Sequence, residues 1–296
     1  MDIRNLKGSI VALVTPFHAD GSVNFEKLGE LVEWHVGNKT DAVLTLGTTG
    51  ESSTMTHEED DAVLQCVIRA AAGRVPVIAG TGSNSTQTML EKSLRAEKLG
   101  ADGLLLITPY YNKGNAEGIC RHFTAVADAV RIPCILYNVP GRTGCAISVE
   151  NVEKLSKHPN ICGIKEASGD MSYAMRIAHC ISPDFALWSG NDDITIPLLS
   201  IGGSGVISVW ANIQPRECHD MVMDYLEGRR EQAVSTAVKH LELMNGLFME
   251  VNPIPVKTAL NQMGRDVGPF RLPLCEMTAA HQEQLRGLLR EAGLVS

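Results

Sequence analysis

Short apolar runs alternate with amphipathic stretches along most of the chain. Runs near residues 9–16, 42–48, 76–81, 103–109, 134–139, 161–167, 185–190 and 205–210 are bounded by turn residues, as buried strands are. Between them, stretches near 24–38, 57–72, 86–99, 116–129, 148–157, 171–181, 193–201 and 214–228 carry helical spacing. Ser85 or Thr86, and Ser148 with Asn151, stand where helix starts need side-chain acceptors. Gly73, Gly100 and Gly228 stand where helices stop.

Eight strand-then-helix units predict an α/β fold of the closed (β/α)8 TIM-barrel kind. An open doubly wound sheet is the rival, because a strand count does not prove closure. After about residue 229 the strand pattern stops. "REQAVSTAVKHLELMNGLFME", "PVKTALNQMG" and "HQEQLRGLLREAG" read as three helices. The expected division is a catalytic barrel over residues 1–228 and a helical extension over 229–296, packed on the barrel or on a neighbour.

Composition narrows the function. Of 296 residues, 44% are hydrophobic and 20% charged, enough core for one such barrel. A formal net charge of −8 argues against nucleic acid or an anionic membrane as partner. The eight cysteines form no CxxC pair and several lie in apolar runs such as "PCILYNVP", so a reduced, cytoplasmic protein is expected. The apolar run Ile10 to Val14 is too short for a secretory signal, and no window approaches the roughly 20 apolar residues that span a bilayer.

In a barrel the chemistry sits at the C-terminal ends of the strands. "IGGSG" (201–205) resembles a phosphate cradle but precedes the eighth strand, on the opposite face. "GTGSNS" (80–85) lacks the third glycine of a dinucleotide fingerprint and reads as a turn and cap. No spaced His/Cys cluster, HExxH or P-loop occurs, so neither a metal nor a cofactor is expected. The remaining strand ends are unusual together: "LGTTGES" with Thr48 and Thr49, "TPYYNKG" with Tyr110 and Tyr111, "YNVPGRTG" with Tyr137 and Arg142, and "GIKEASGD" with Lys165. Singly, each has an ordinary reading as a turn, a loop or a solvated charge.

Lys165 is the exception that organises the rest. It ends an apolar strand with only Glu166 beside it as a possible partner in sequence. Period-two alternation places Lys165, Gly163 and Ile161 inward, with Ile164 and Cys162 toward the helices, and the small Gly163 leaves room beneath the lysine. An ordinary lysine, with a pKa of about 10.4, is almost wholly protonated at neutral pH. Desolvation at a strand end lowers that value and frees the amine to attack a ketone. The ordinary alternative is a lysine snorkelling to solvent. Imine chemistry also needs proton transfer, which tyrosine and threonine hydroxyls supply, and donors for a carboxylate, which the backbone of "GTTGES" supplies.

"GTTGES", "TPYYNK", "YNVPGRTG", "GIKEASGD", "GGSGVISV" and "NPIPVK" occur in one order across nearly the whole chain. On these motifs the sequence resembles the pyruvate-dependent class I aldolases, and among them the dihydrodipicolinate synthase family. The resemblance implies a homotetramer, a dimer of dimers, that condenses pyruvate with L-aspartate 4-semialdehyde at the entry to diaminopimelate and lysine synthesis. It implies Lys165 as the Schiff-base lysine and Tyr137 as its proton donor and acceptor. Thr48 and Tyr111 complete the relay, Tyr111 from a neighbouring subunit. Thr49 and the Ile207 backbone would hold pyruvate, and Arg142 the aldehyde's carboxylate. Sialic acid lyases and sugar-acid aldolases share the fold and lysine, but Arg142 favours a short, carboxylate-bearing aldehyde; a non-catalytic barrel would have lost part of this set. A feedback pocket for L-lysine would correspond to Ser52, Ser53, His57, Asp60, Asn84, Thr88 and Tyr110. Thr88 replaces a glutamate of lysine-sensitive relatives, and Asp60 a frequent histidine, so weak inhibition is expected. Trp210 stands where a smaller residue is usual.

Overall fold

The computed structural model describes residues 1–296. Its strands are β1 (Gly8–Ala12), β2 (Ala42–Thr45), β3 (Val77–Gly80), β4 (Gly103–Ile107), β5 (Cys134–Asn138), β6 (Ile161–Glu166), β7 (Ala186–Ser189) and β8 (Gly205–Ser208). All pair in parallel, in chain order, and β8 pairs back on β1 with Gly205 opposite Gly8. The sheet is therefore closed, which excludes the open alternative. A Cβ on Gly205 would collide with the Gly8 backbone, so the "IGGSG" stretch serves close strand packing at the foot of the barrel.

Around the barrel run α1 (Phe25–Gly37), α2 (His57–Ala71), α3 (Thr86–Leu99), α4 (Ala116–Ala127), α5 (Pro140–Thr143), α6 (Val149–Leu155), α7 (Met171–Ile177), α8 (Thr195–Ser200) and α9 (Pro215–Leu226). Ser85 and Ser148 cap α3 and α6, accepting from the N–H groups of Thr88 and Asn151. Gly100 closes α3 at φ 100°. The short α5, started by Pro140 and carrying Arg142, has no counterpart in the predicted elements. The C-terminal helices are α10 (Arg230–Gly246), α11 (Ile254–Gln262) and α12 (Ala279–Glu291). Their Leu243, Leu285 and Leu289 join the apolar layer between barrel and helices, so one continuous core serves both.

A second apolar cluster fills the barrel itself, with Ile10, Leu44, Ile78, Leu105, Ile135 and Trp188 among its members. Here one expectation fails. Ile161 belongs to the outer layer and Cys162 to the inner one. The register between β5 and β6 shifts, pairing Cys134 with Ile161 and Ile135 with Gly163, so Cys162 is the extra residue of a bulge. Beyond the bulge, Ile164 faces outward as expected. Gly163 does not leave an empty space under the lysine. A Cβ there would stand 2.5 Å from the Trp188 ring, which takes the room.

Candidate active site

β6 carries Lys165 to the upper rim of the barrel, opposite Tyr137 of β5 and Trp188 of β7. Lys165 is 5% exposed. Its Nζ lies 4.4 Å from the centre of the Tyr137 ring and faces a cleft with about 710 Å³ of empty space, open to solvent. Glu166 is not its partner. That carboxylate accepts from Asn138 Nδ2 at 2.7 Å and from the Ser168 N–H at 2.6 Å. Gly190 keeps the lysine's own space clear: a Cβ there would meet Lys165 Cε at 3.0 Å and Ala167 Cβ at 2.5 Å.

Burial sets the electrostatics. It depresses Lys165 to about 7, with the Arg142 guanidinium pushing the same way and Asp192 opposing. About half the amine is thus unprotonated at neutral pH. Burial raises the Tyr137 phenol, against the opposing pull of Arg142 and the Thr48 hydroxyl. The phenol is therefore a neutral proton carrier beside a reactive amine.

Thr48, Thr49 and Arg142 line the same cleft, with Asn252 and Phe248 from the C-terminal segment. Asn252 ties two of them together. Its side-chain amide donates to Thr49 Oγ1 at 3.0 Å, and its carbonyl accepts from Arg142 Nη2 at 3.3 Å. Ile207 lies on β8, its side chain buried in the barrel, two residues before Val209 at the cleft wall. Tyr111 is the outlier. It sits at φ 70° with 90% of its surface exposed and does not line its own chain's cleft. Tyr110 instead lines a neighbouring hollow that shares Thr48 and Tyr137 with the cleft and also includes Ser52, Ser53 and Lys92.

Of the other residues of the proposed lysine pocket, His57 and Asp60 line a small adjoining hollow that shares Lys92 with the first. The Asn84 carbonyl accepts from Asn112 Nδ2 at 2.9 Å, and Thr88 lies on the first turn of α3. Asp60 is buried and pairs with Lys92 at 3.0 Å, while exposed His57 stands 4.0 Å away. His57, one turn earlier on α2, thus takes second place as a partner of Asp60 to a lysine from the next helix.

Three features escaped the sequence reading. Asp192, in the loop after β7, is buried close enough to Lys165 to act on its charge; "SGNDD" at a strand end was its signal. Asn252, the first residue of the "NPIPVK" motif, bridges two substrate-binding candidates from the helical segment, a role that the motif alone does not reveal. Lys257 of α11, fully buried, pairs with Glu51 Oε1 at 2.7 Å and donates to the Pro269 carbonyl at 2.6 Å. This pair anchors α11 to the end of "GTTGES". Trp210 now has a packing role: its indole N–H donates to Gln214 at 2.8 Å and its ring lies 5.2 Å from His240 of α10. No three His, Cys, Asp or Glu side chains converge as a metal site would require.

A closed (β/α)8 barrel with a depressed lysine, a buried tyrosine and a threonine pair at its mouth defines a Schiff-base aldolase class of site. The pattern of the dihydrodipicolinate synthetase family matches residues 5–292, and the chain belongs to that family. It is 52% identical over 290 residues to a 4-hydroxy-tetrahydrodipicolinate synthase of Thermoanaerobacter sp. (strain X514), covering 98% of this chain and 97% of that one. A chloride-inhibited dihydrodipicolinate synthase from Acinetobacter baumannii, solved in complex with pyruvate, superposes with TM-score 0.96 at 43% identity, covering 98% of this chain and 100% of that one. The enzyme of Cyanidioschyzon merolae, solved with lysine bound, gives 0.95 at 43% identity, with 98% and 99% covered.

Proposed function

We propose that this chain condenses pyruvate with L-aspartate 4-semialdehyde to 4-hydroxy-tetrahydrodipicolinate, through an imine on Lys165. The observation that carries the reading is the buried Lys165 amine, depressed to about 7 beside Tyr137 at the open end of the barrel. Nζ attacks the ketone carbon of pyruvate, and the carbinolamine oxygen leaves as water with a proton delivered by Tyr137. Loss of a methyl proton gives the enamine, whose carbon attacks the aldehyde while the aldehyde oxygen takes a proton. The semialdehyde's own amino group then displaces Nζ, closing the ring and freeing Lys165. One water is released overall.

Thr49 and the backbone at Ile207 hold pyruvate, and Arg142 at the rim holds the semialdehyde's carboxylate. Thr48 links Tyr137 to a third hydroxyl. Tyr111 supplies that hydroxyl from a neighbouring subunit, in a dimer of dimers; its 90% exposure and the hollow beside Thr48 support this reading. Borohydride reduction with pyruvate should give one adduct on Lys165 by mass spectrometry; an adduct on Lys257, or none, would overturn the imine. Inactive Tyr111→Phe and Lys165→Ala subunits, mixed and reassembled, should regain activity. Exchange without recovery would return Tyr111 to its own subunit's site.

A further inference from the structure

The cleft around Lys165 has to accommodate a cation. Once the imine forms, Nζ carries a positive charge in a place where burial disfavours charge. Tyr137 of β5 lies beside it, Arg142 of α5 lines the same cleft, and the loop after β7 runs against it: Gly190, where a Cβ would meet Lys165 Cε at 3.0 Å, and Asn191 of the cleft wall lead directly into Asp192, whose carboxylate acts on the lysine's charge. Tyr137 is neutral and Arg142 has the wrong sign. Glu166, next in the chain, is spent on Asn138 and Ser168.

Asp192 is held with unusual firmness. One of its oxygens accepts from the backbone N–H of Val209 at 3.1 Å and of Trp210 at 2.9 Å. The other is buried with no hydrogen-bond partner in the protein. The Ser208 hydroxyl of β8 favours the charged carboxylate, and Cys218 of α9, in contact with Ser9 Oγ at 3.1 Å, is kept protonated by burial first and by the Asp192 charge second. Burial raises Asp192 above the ordinary carboxylate range, and the Ser208 hydroxyl, the two N–H groups and the Lys165 cation oppose that rise, so a cation at Nζ favours its charged form. A carboxylate clamped on one side and unsatisfied on the other is poised for a charge that appears during the reaction.

We propose that Asp192 is a positioning residue that supplies the counter-charge to the iminium at Lys165, held in place by the backbone leaving β8. The proposal rests on the imine reading above. It also explains why the segment that follows the pyruvate-binding strand is tied to the loop after β7: one carboxylate fixes both.

The test compares pyruvate-dependent borohydride trapping across pH in the full-length wild type and in Asp192→Asn, which keeps shape and acceptor while removing charge. An amine without its anion loses its proton more readily, so the acid limb of the variant should move to lower pH. The pyruvate concentration for half-maximal trapping should rise about tenfold or more, because the iminium has lost its partner. A merely structural role leaves the acid limb where it was, and that result overturns the proposal. No adduct in the wild type would instead remove the imine reading itself. Should Asp192→Asn fail to fold, wild-type protein with carboxyl-labelled aspartate decides the matter. Its infrared difference spectrum on adding pyruvate should show an aspartate carboxylate band shifted by the new cation; no aspartate signal overturns the assignment.

Discussion

Two lysines are buried in this protein, and their surroundings could hardly differ more. Lys257 is wholly enclosed, yet its ammonium meets Glu51 and the Pro269 carbonyl and lies 4.4 Å from the Phe17 ring centre. Lys165 is almost as deeply buried but has an aromatic face, an open cleft and a carboxylate beyond salt-bridge reach. Burial lowers both amines; at Lys257 the Glu51 carboxylate answers it directly. Burial alone does not make a nucleophile. A satisfied ammonium is an anchor, and an unsatisfied one beside a cavity is a reagent.

The largest expected effect lies at Lys165. Lys165→Met should abolish condensation and pyruvate trapping while raising the melting temperature. The sign follows from linkage: the folded value of about 7 lies below the unfolded value of about 10.4, so burial opposes folding most strongly below pH 7. That penalty is on the order of 4 kcal/mol at pH 7 and fades as pH rises through 10. The thermal gain should therefore shrink between pH 7 and pH 9 in calorimetry, and a gain independent of pH would break the contrast.

Lys257→Met should act in the opposite direction. It strands Glu51 as a buried unpaired carboxylate, and such losses run to about 3–5 kcal/mol in denaturant titrations. Adding Glu51→Gln should restore a good part of it; no recovery would mean that Lys257 matters by shape alone. Arg142→Ala comes next. It should lower kcat/KM for the semialdehyde about ten- to hundredfold, as loss of a charge-assisted bond of about 1.5–3 kcal/mol implies. Pyruvate trapping should survive, with its acid limb moved to higher pH because a repelling cation is gone. Equal loss of both steps would make Arg142 structural.

A third lysine sharpens the contrast at the smallest scale. Lys92 and Asp60 already pair beside the hollow that includes Ser52 and Tyr110. With Thr88 offering only a hydroxyl, inhibition by L-lysine is expected to be weak. Thr88→Glu, one helical turn before Lys92, should strengthen it in a steady-state titration. Submillimolar inhibition of the unaltered protein would show that Thr88 is immaterial.

Much of this was legible in the chain. Eight apolar runs separated by capped helices gave the barrel, because strand burial and helix capping are local signals. The apolar runs overshoot the strands, since β1 stops at Ala12 and β2 at Thr45 while apolar character continues into the loops. The bulge at Cys162 left no trace because a register shift belongs to the pair of strands, not to either one. Lys165, Tyr137 and Arg142 stood out by type and position at strand ends. Asp192 and Asn252 did not, because their importance depends on what faces them from β6, β8 and the loop after β2.

The Gly8–Gly205 seam has a consequence for how the barrel is made. β1 is the first strand to leave the ribosome and its last neighbour, β8, is the final strand to be synthesised. Until then the growing sheet has two bare edges, each able to accept a strand from another chain. Closure joins segments separated by nearly the whole barrel, a contact of high sequence separation that slows folding. Two residues without side chains make that late join a matter of backbone meeting backbone. A methyl group on Gly205, which would meet the Gly8 backbone, would keep the edges open for longer, so damage there should surface as aggregation during synthesis before it surfaces as lost activity.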